Sequence, residues 1–196
     1  MKFHKHSNYE DYLKAQVSAN IIKQNIVWVS EKDIAMLCDY LRPMQPKQGL
    51  CHGTRNGVEQ AYFSKYLDVA VLGTEISSFG VNYPNTIQWD FHEVKKEWLN
   101  NMDFIYSNSF DHSYNPVKCL NSWMSCLNPK GVCIIEWSQD SSESFSNNVD
   151  VFGASMDEYK RLFETNYMIV DVLTRDDYQP TDYSSEGKRW FFILKR

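Results

Sequence analysis

Residues 48–57 read Q-G-L-C-H-G-T-R-N-G, with glycines at 49, 53 and 57. The stretch starts as a short strand over 47–51 and breaks into a glycine-containing loop. A helix follows over 57–67. Everything downstream alternates around this strand–loop–helix joint. Residues 68–75 (D-V-A-V-L-G-T-E) form a buried-strand run, 86–91 a short strand and 92–101 a helix. A strand follows at 102–107 (M-D-F-I-Y-S), then a helix at 116–127 opened by Pro116, since proline suits a first helical turn. The turn Asn128-Pro129-Lys130-Gly131 leads into the buried strand 132–137 (V-C-I-I-E-W). A helix at 156–166 and strands at 167–174 and 188–195 close the chain. Upstream, Ile34, Leu37, Cys38 and Leu41 share one face of a helix over 31–41, which Pro43 and Pro46 stop. Residues 8–29 carry apolar positions at helix-like spacing.

This order predicts an α/β protein: a three-layer αβα sandwich around a mostly parallel, doubly wound, seven-stranded sheet. The last two strands follow each other without a helix, so they end the sheet as an antiparallel hairpin. At 196 residues the chain is expected to be one domain over 1–196, with an N-terminal helical extension over about 1–42. The N-terminal segment carrying His4 and His6 is expected to be frayed. Residues 138–153, with five serines and two asparagines, read as a long surface loop. Together with the loop 174–187 it is expected to form a lid.

Composition narrows the function. Twenty Lys+Arg stand against 25 Asp+Glu, a net charge of −5 that disfavours a nucleic-acid partner. No apolar run approaches the ~20 residues of a membrane span, and residues 1–10 lack a signal-peptide core. A cytoplasmic location follows as an expectation. The five cysteines lack C-x-x-C spacing and the five histidines lack H-x-x-x-H or H-E-x-x-H spacing, so no metal site is expected.

Open α/β sheets bind ligands at the C-terminal ends of their strands, near the switch in strand order. The loop at 48–57 is neither G-x-G-x-x-G nor G-x-x-x-x-G-K-[ST], which points away from pyrophosphate and toward a nucleoside without phosphates. Glu75 ends the second strand, where a carboxylate accepts hydrogen bonds from two ribose hydroxyls, unless it is an ordinary exposed strand-end glutamate. Asp90 ends the third strand. It would accept a bond from an exocyclic amine of adenine, or else cap a helix starting at His92. Phe91 offers a flat wall for a base.

With these residues in place, the chain resembles a class I S-adenosylmethionine-dependent methyltransferase of the small-molecule type. Five segments match in order across about residues 47–138: C-H-G-T-R-N-G, V-L-G-T-E-I-S, I-Q-W-D-F, M-D-F-I-Y-S-N-S-F-D-H-S and L-N-P-K-G-V-C-I-I-E-W. The resemblance implies S-adenosyl-L-methionine as cofactor. It implies that the backbone of Cys51, His52 and Gly53 lines the methionine moiety. Glu75 would hold the ribose, Ile76 would pack on adenine, and Asp90 and Phe91 would contact it. Ser107 and Asn108 would lie near the sulfonium. The family's acidic residue before the first-motif glycines is missing, since Gly49 stands in its place. His52 or a backbone carbonyl is a candidate substitute.

Methyl transfer is an in-line displacement, and the protein mainly positions the acceptor. A base is needed only for acceptors with an ionisable O–H or N–H. His112 is the candidate, because its ordinary pKa suits neutral pH, and Asp111 is expected to orient it or to act as the base itself. Tyr106 and Trp137 read as core. S-N-S-F is not the D-P-P-Y or N-P-P-Y of amino-group methyltransferases, so the expected acceptor is a small or medium-sized polar molecule. Two other readings stay open. One is a catalytically silent binding module of this fold, motivated by the missing acid. The other is a nicotinamide oxidoreductase, for which the loop lacks the glycine spacing.

Overall fold

A computed structural model describes residues 1–177 and 188–196. Its strands are β1 (Lys2–Phe3), β2 (Gln48–His52), β3 (Ala70–Glu75), β4 (Thr86–Gln88), β5 (Met102–Ser107), β6 (Leu127–Trp137), β7 (Phe152–Gly153), β8 (Met168–Leu173) and β9 (Trp190–Lys195). Its α-helices are α1 (Tyr9–Ile22), α2 (Glu31–Leu41), α3 (Val58–Leu67), α4 (Pro116–Cys126) and α5 (Met156–Glu164).

Seven strands form one sheet in the order β4-β3-β2-β5-β6-β9-β8. The first five are parallel, and β9 runs antiparallel to both β6 and β8. The expected hairpin is present, with β9 inserted beside β6 and β8 left at the edge.

Successive side chains of a strand point to opposite faces, and both faces of this sheet are covered, so the strands read as unbroken apolar runs. Phe104 and Tyr106 of β5, with Phe191 and Ile193 of β9, pack against Ile34, Leu37 and Leu41 of α2 and Phe63 of α3. Ile105, Phe192 and Leu194 face the other way, onto Leu120 and Trp123 of α4 and Tyr159 and Phe163 of α5. Residues 31–41 thus belong to the helical layer of the sandwich. Asn115 caps α4 at Lys118 N (3.1 Å), with Pro116 in the first turn. Ser155 and Glu158 form a capping box on α5. The five cysteines are all buried thiols.

Three expectations need correction. Residues 92–101 are not an α-helix; only Lys96–Trp98 make a single 3₁₀ turn. Here Asp90 draws back the chain at His92 N (2.9 Å), and the Trp89 indole bonds the Glu93 carbonyl (2.8 Å). His92 and Trp98 are both buried along this irregular path. Residues 128–131 are not a separate turn before the strand but an irregularity inside β6, where pairing with β5 jumps from Leu127 to Val132. The N-terminus is not frayed. β1 pairs antiparallel with β7, Phe3 packs on Phe152, and His6 bonds the Asn148 carbonyl (2.8 Å). The N-terminus and the 138–153 segment therefore fix each other. The 174–187 half of the expected lid lies mostly outside the described residues.

Candidate active site

The strand order reverses between β2 and β5, so their C-terminal ends open a crevice. Gly53 leaves β2 with φ +72, a conformation that suits glycine. A Cβ there would lie 2.7 Å from Ser109 Cβ, so the glycine also lets β2 and β5 approach at their tips. Two adjoining cavities share Gly53, Arg55, Ser109 and His112. The larger measures about 390 Å³ and is walled by Lys23, Trp28, Glu59, Asn108, Glu136 and the 138–150 segment, among others. The smaller, about 30 Å³, lies between Tyr12, Gln16 and Asn20 of α1 and Glu75, Ile76, Asp90 and Phe91.

Glu75 is 3% exposed at the tip of β3, so it is no ordinary surface glutamate. Its Oε1 accepts from Asn20 Nδ2 and from Ser77 N (2.9 Å), and its Oε2 from Arg55 N (3.0 Å). Burial pushes its carboxyl up, against the pull of those N–H groups and of Arg55. Asp90 stands at the crevice, and its Oδ1 accepts from His92 N (2.9 Å), although no helix starts there. Its Oδ1 also contacts His92 Nδ1 (2.7 Å), and its Oδ2 accepts from Tyr9 (2.8 Å). Burial pushes Asp90 up, but the His92 and Tyr9 bonds outweigh it and hold the carboxyl low. The two acids share the small cavity with Ile76 and Phe91.

The side chains of several other predicted residues turn away from the two cavities. Along β2, Cys51 points into the core beneath α2 and α3. His52 points into the opposite layer. It is buried, stacked on Trp123 at 4.9 Å and bonded by Nδ1 to Thr74 Oγ1 (2.8 Å). Burial lowers its pKa to about 3, so it is a neutral core histidine and no substitute for the missing acid. Ser107 is fully buried, and its hydroxyl donates to the His52 carbonyl (3.0 Å), locking the two strand tips together. Asn108 lines the large cavity. Tyr106 and Trp137 are structural: Tyr106 bonds Glu136 (2.9 Å) and Trp137 the Ala154 carbonyl (3.0 Å).

Gly49 explains the missing acid. A Cβ there would fall 2.2 Å from the Phe104 ring, and it would point into the core rather than the crevice. A carboxylate from α3 does line the large cavity. Glu59, which the sequence reading missed, is 6% exposed and lines the large cavity. Its Oε1 accepts from Asn108 Nδ2 (3.4 Å), while its buried Oε2 has no hydrogen-bond partner among the described residues. Burial raises its pKa to about 7.

His112 and Asp111 both line the large cavity, but Asp111 does not orient the ring. Gln16 does: its Oε1 lies 3.0 Å from His112 Nδ1. His112 Nε2 lies 3.4 Å from Asp150 Oδ1. Burial pushes the imidazole down, partly offset by Asp150, and pushes the Asp111 carboxyl up.

No family profile and no curated protein matches this chain. Solved structures do. A Burkholderia thailandensis 1,6-didemethyltoxoflavin-N1-methyltransferase, with 1,6-didemethyltoxoflavin and S-adenosylhomocysteine bound, superposes with a TM-score of 0.71. It is 11% identical, over 98% of this chain and 92% of that one. The fold is that of the class I methyltransferases. The plantazolicin methyltransferase, solved with a triazolic desmethyl analog and S-adenosylhomocysteine, shares it at a TM-score of 0.65 and 15% identity, over 95% and 96% of the two chains. A SAM-dependent methyltransferase from Archaeoglobus fulgidus shares it at 0.61 and 12%, over 85% and 95%. In this methyltransferase fold the two cavities occupy the crevice at the switch in strand order. No helix among the described residues is long and apolar enough to cross a membrane.

Proposed function

We propose that the protein transfers a methyl group from S-adenosyl-L-methionine to a small or medium-sized polar acceptor. The carrying observation is Glu75: a carboxylate at the tip of the second parallel strand, buried, with both oxygens in hydrogen bonds at the crevice. Proteins of this fold that are solved with S-adenosylhomocysteine support the choice of cofactor. In the proposal Glu75 holds the ribose, Ile76 and Phe91 sandwich the adenine, and Asp90 takes its amine. Gly53 and Asn108 line the methionine moiety, and Glu59 receives its ammonium in place of the first-motif acid. A cavity of about 390 Å³ suits a small acceptor beside that tail.

The adenosyl half has room for about one water, because α1 leans on it. Tyr9 bonds Asp90 and Asn20 bonds Glu75, so the cofactor must exchange these contacts for its own. The same observation favours a second reading, a silent binding module whose own helix stands in for adenosine. Calorimetry separates the two. Transfer chemistry requires that both S-adenosylhomocysteine and 5′-methylthioadenosine bind, the former more tightly through its amino-acid tail. A folded protein that binds neither at millimolar ligand rejects the methyltransferase reading.

A further inference from the structure

At the junction of the 138–153 segment and the β5–α4 turn, three ligand atoms converge: an Asp111 carboxylate oxygen, a His112 ring nitrogen and an Asp150 oxygen, all within 4.8 Å of one another. The tautomer of His112 decides what they can do. Gln16 Nε2 donates to the Val149 carbonyl (2.6 Å), which fixes the amide and turns its oxygen to His112 Nδ1. Nδ1 therefore carries the hydrogen, and Nε2 presents a lone pair. That lone pair meets Asp150 Oδ1 at 3.4 Å, an acceptor facing an acceptor. Asp111 Oδ1 is sealed from solvent and has no hydrogen-bond partner among the described residues. The Val149 carbonyl faces the same ring and adds no donor.

Such a set is satisfied by a proton or by a metal cation. One proton on His112 or Asp150 resolves their contact and does nothing for the Asp111 carboxylate, whereas one cation serves all three side chains. The cations of this cavity hold other partners. Arg55 bonds Asn20 (3.1 Å), Arg189 pairs with Glu136 (2.9 Å), and Lys23 lies over the Trp28 ring. Asp140 adds a further negative charge to the same wall. Ligand atoms of an octahedral ion at ~2.1 Å stand roughly 3–4 Å apart, so small side-chain rotations close the set.

We propose that Asp111, His112 and Asp150 bind a divalent cation of the Mn²⁺ or Zn²⁺ class. One imidazole and two carboxylates suit these ions better than a thiol-seeking one. Bound there, the ion ties the 138–153 wall to the end of β5. Its remaining coordination positions face the large cavity and are open to an oxygen or nitrogen of a ligand. A bound ion also takes the Nε2 lone pair, so His112 is then a ligand and not a free base. The inference does not depend on the cofactor.

The test is titration of the whole chain with manganese chloride at pH 7.5, without cofactor, followed by calorimetry and by the signal of free Mn²⁺. One site per chain is expected, with Asp150→Asn and Asp111→Asn each weakening it at least tenfold. Asp150 sits in a surface segment, so its variant keeps the fold, and added Mn²⁺ should raise the Tm of the parent but not of this variant. No uptake at millimolar Mn²⁺ by the folded parent overturns the proposal. So does uptake that both variants leave intact, which would place the ion elsewhere, such as at the His4–His6 pair whose rings lie 5.3 Å apart. An imidazolium signal from His112 that ignores Mn²⁺ would assign the cluster to a proton instead.

Discussion

Replacing Glu59 by glutamine should stabilise the protein, by an amount that depends on pH. The carboxyl is 6% exposed, its Oε2 lacks a partner among the described residues, and burial raises its pKa to about 7 from an ordinary 4.5. The folded chain thus keeps a proton that the unfolded chain releases between those values. Stability attached to this group is intact below pH 4.5 and falls as pH rises toward 7 and above. A gap of about 2.5 pH units, at roughly 1.4 kcal/mol each, makes ionised Glu59 cost about 3 kcal/mol at pH 8. Arg55 and Glu136 are the charges that face it, with opposite effects. Glutamine has the same shape, keeps an acceptor for Asn108 and does not titrate. Urea unfolding of parent and variant at pH 5 and pH 8 reads the effect. The gain should be no more than about 1 kcal/mol at pH 5 and about 2–3 kcal/mol at pH 8, or roughly 5–10 °C in Tm for a chain this size. An equal gain at both pH values, or none at pH 8, refutes the reasoning. A residue that costs stability when no ligand is bound fits a group held for a cation such as the cofactor's ammonium.

Two further outcomes follow from the packing. Tyr9→Phe removes the hydroxyl that competes for Asp90, and it should tighten S-adenosylhomocysteine about threefold to tenfold in calorimetry, the scale of one hydrogen bond; weaker binding would mean that Tyr9 serves the ligand. Gly49→Asp restores an acid where the family carries one, yet it should cost at least ~3 kcal/mol and rescue no affinity, because its side chain must enter the Phe104 ring. A soluble, stable Gly49→Asp protein with improved binding would contradict this account of the first motif.

The sheet was legible because both of its faces are buried. Runs such as residues 132–137 and 102–107 stay apolar through successive positions, and only strands packed on two sides do so. Glu75 and Asp90 were legible for a related reason: a polar residue closing an apolar strand lands at the crevice. That the His52 side chain cannot replace the missing acid was foreseeable, since period-2 alternation sends the side chains of Cys51 and His52 into the two helical layers. The segment 92–101 read as a helix because its spacing fits one, and only the tertiary contacts of His92 and Trp98 override it. Glu59, Asn20, Gln16 and Asp150 had no local signal. They reach the site from helices or from a Ser/Asn-rich segment whose placement depends on packing far along the chain.

The most direct measurement is the affinity of S-adenosylhomocysteine for the parent protein and for Glu75→Ala, with the Tm of each recorded. A carboxylate that grips the ribose is worth at least ~1.5 kcal/mol, so the variant should bind at least tenfold more weakly. Its Tm should change little, because the lost bonds to Asn20 and Arg55 are offset by the removal of a buried charge. Equal affinities in the two proteins would contradict the assignment of the crevice as the cofactor site.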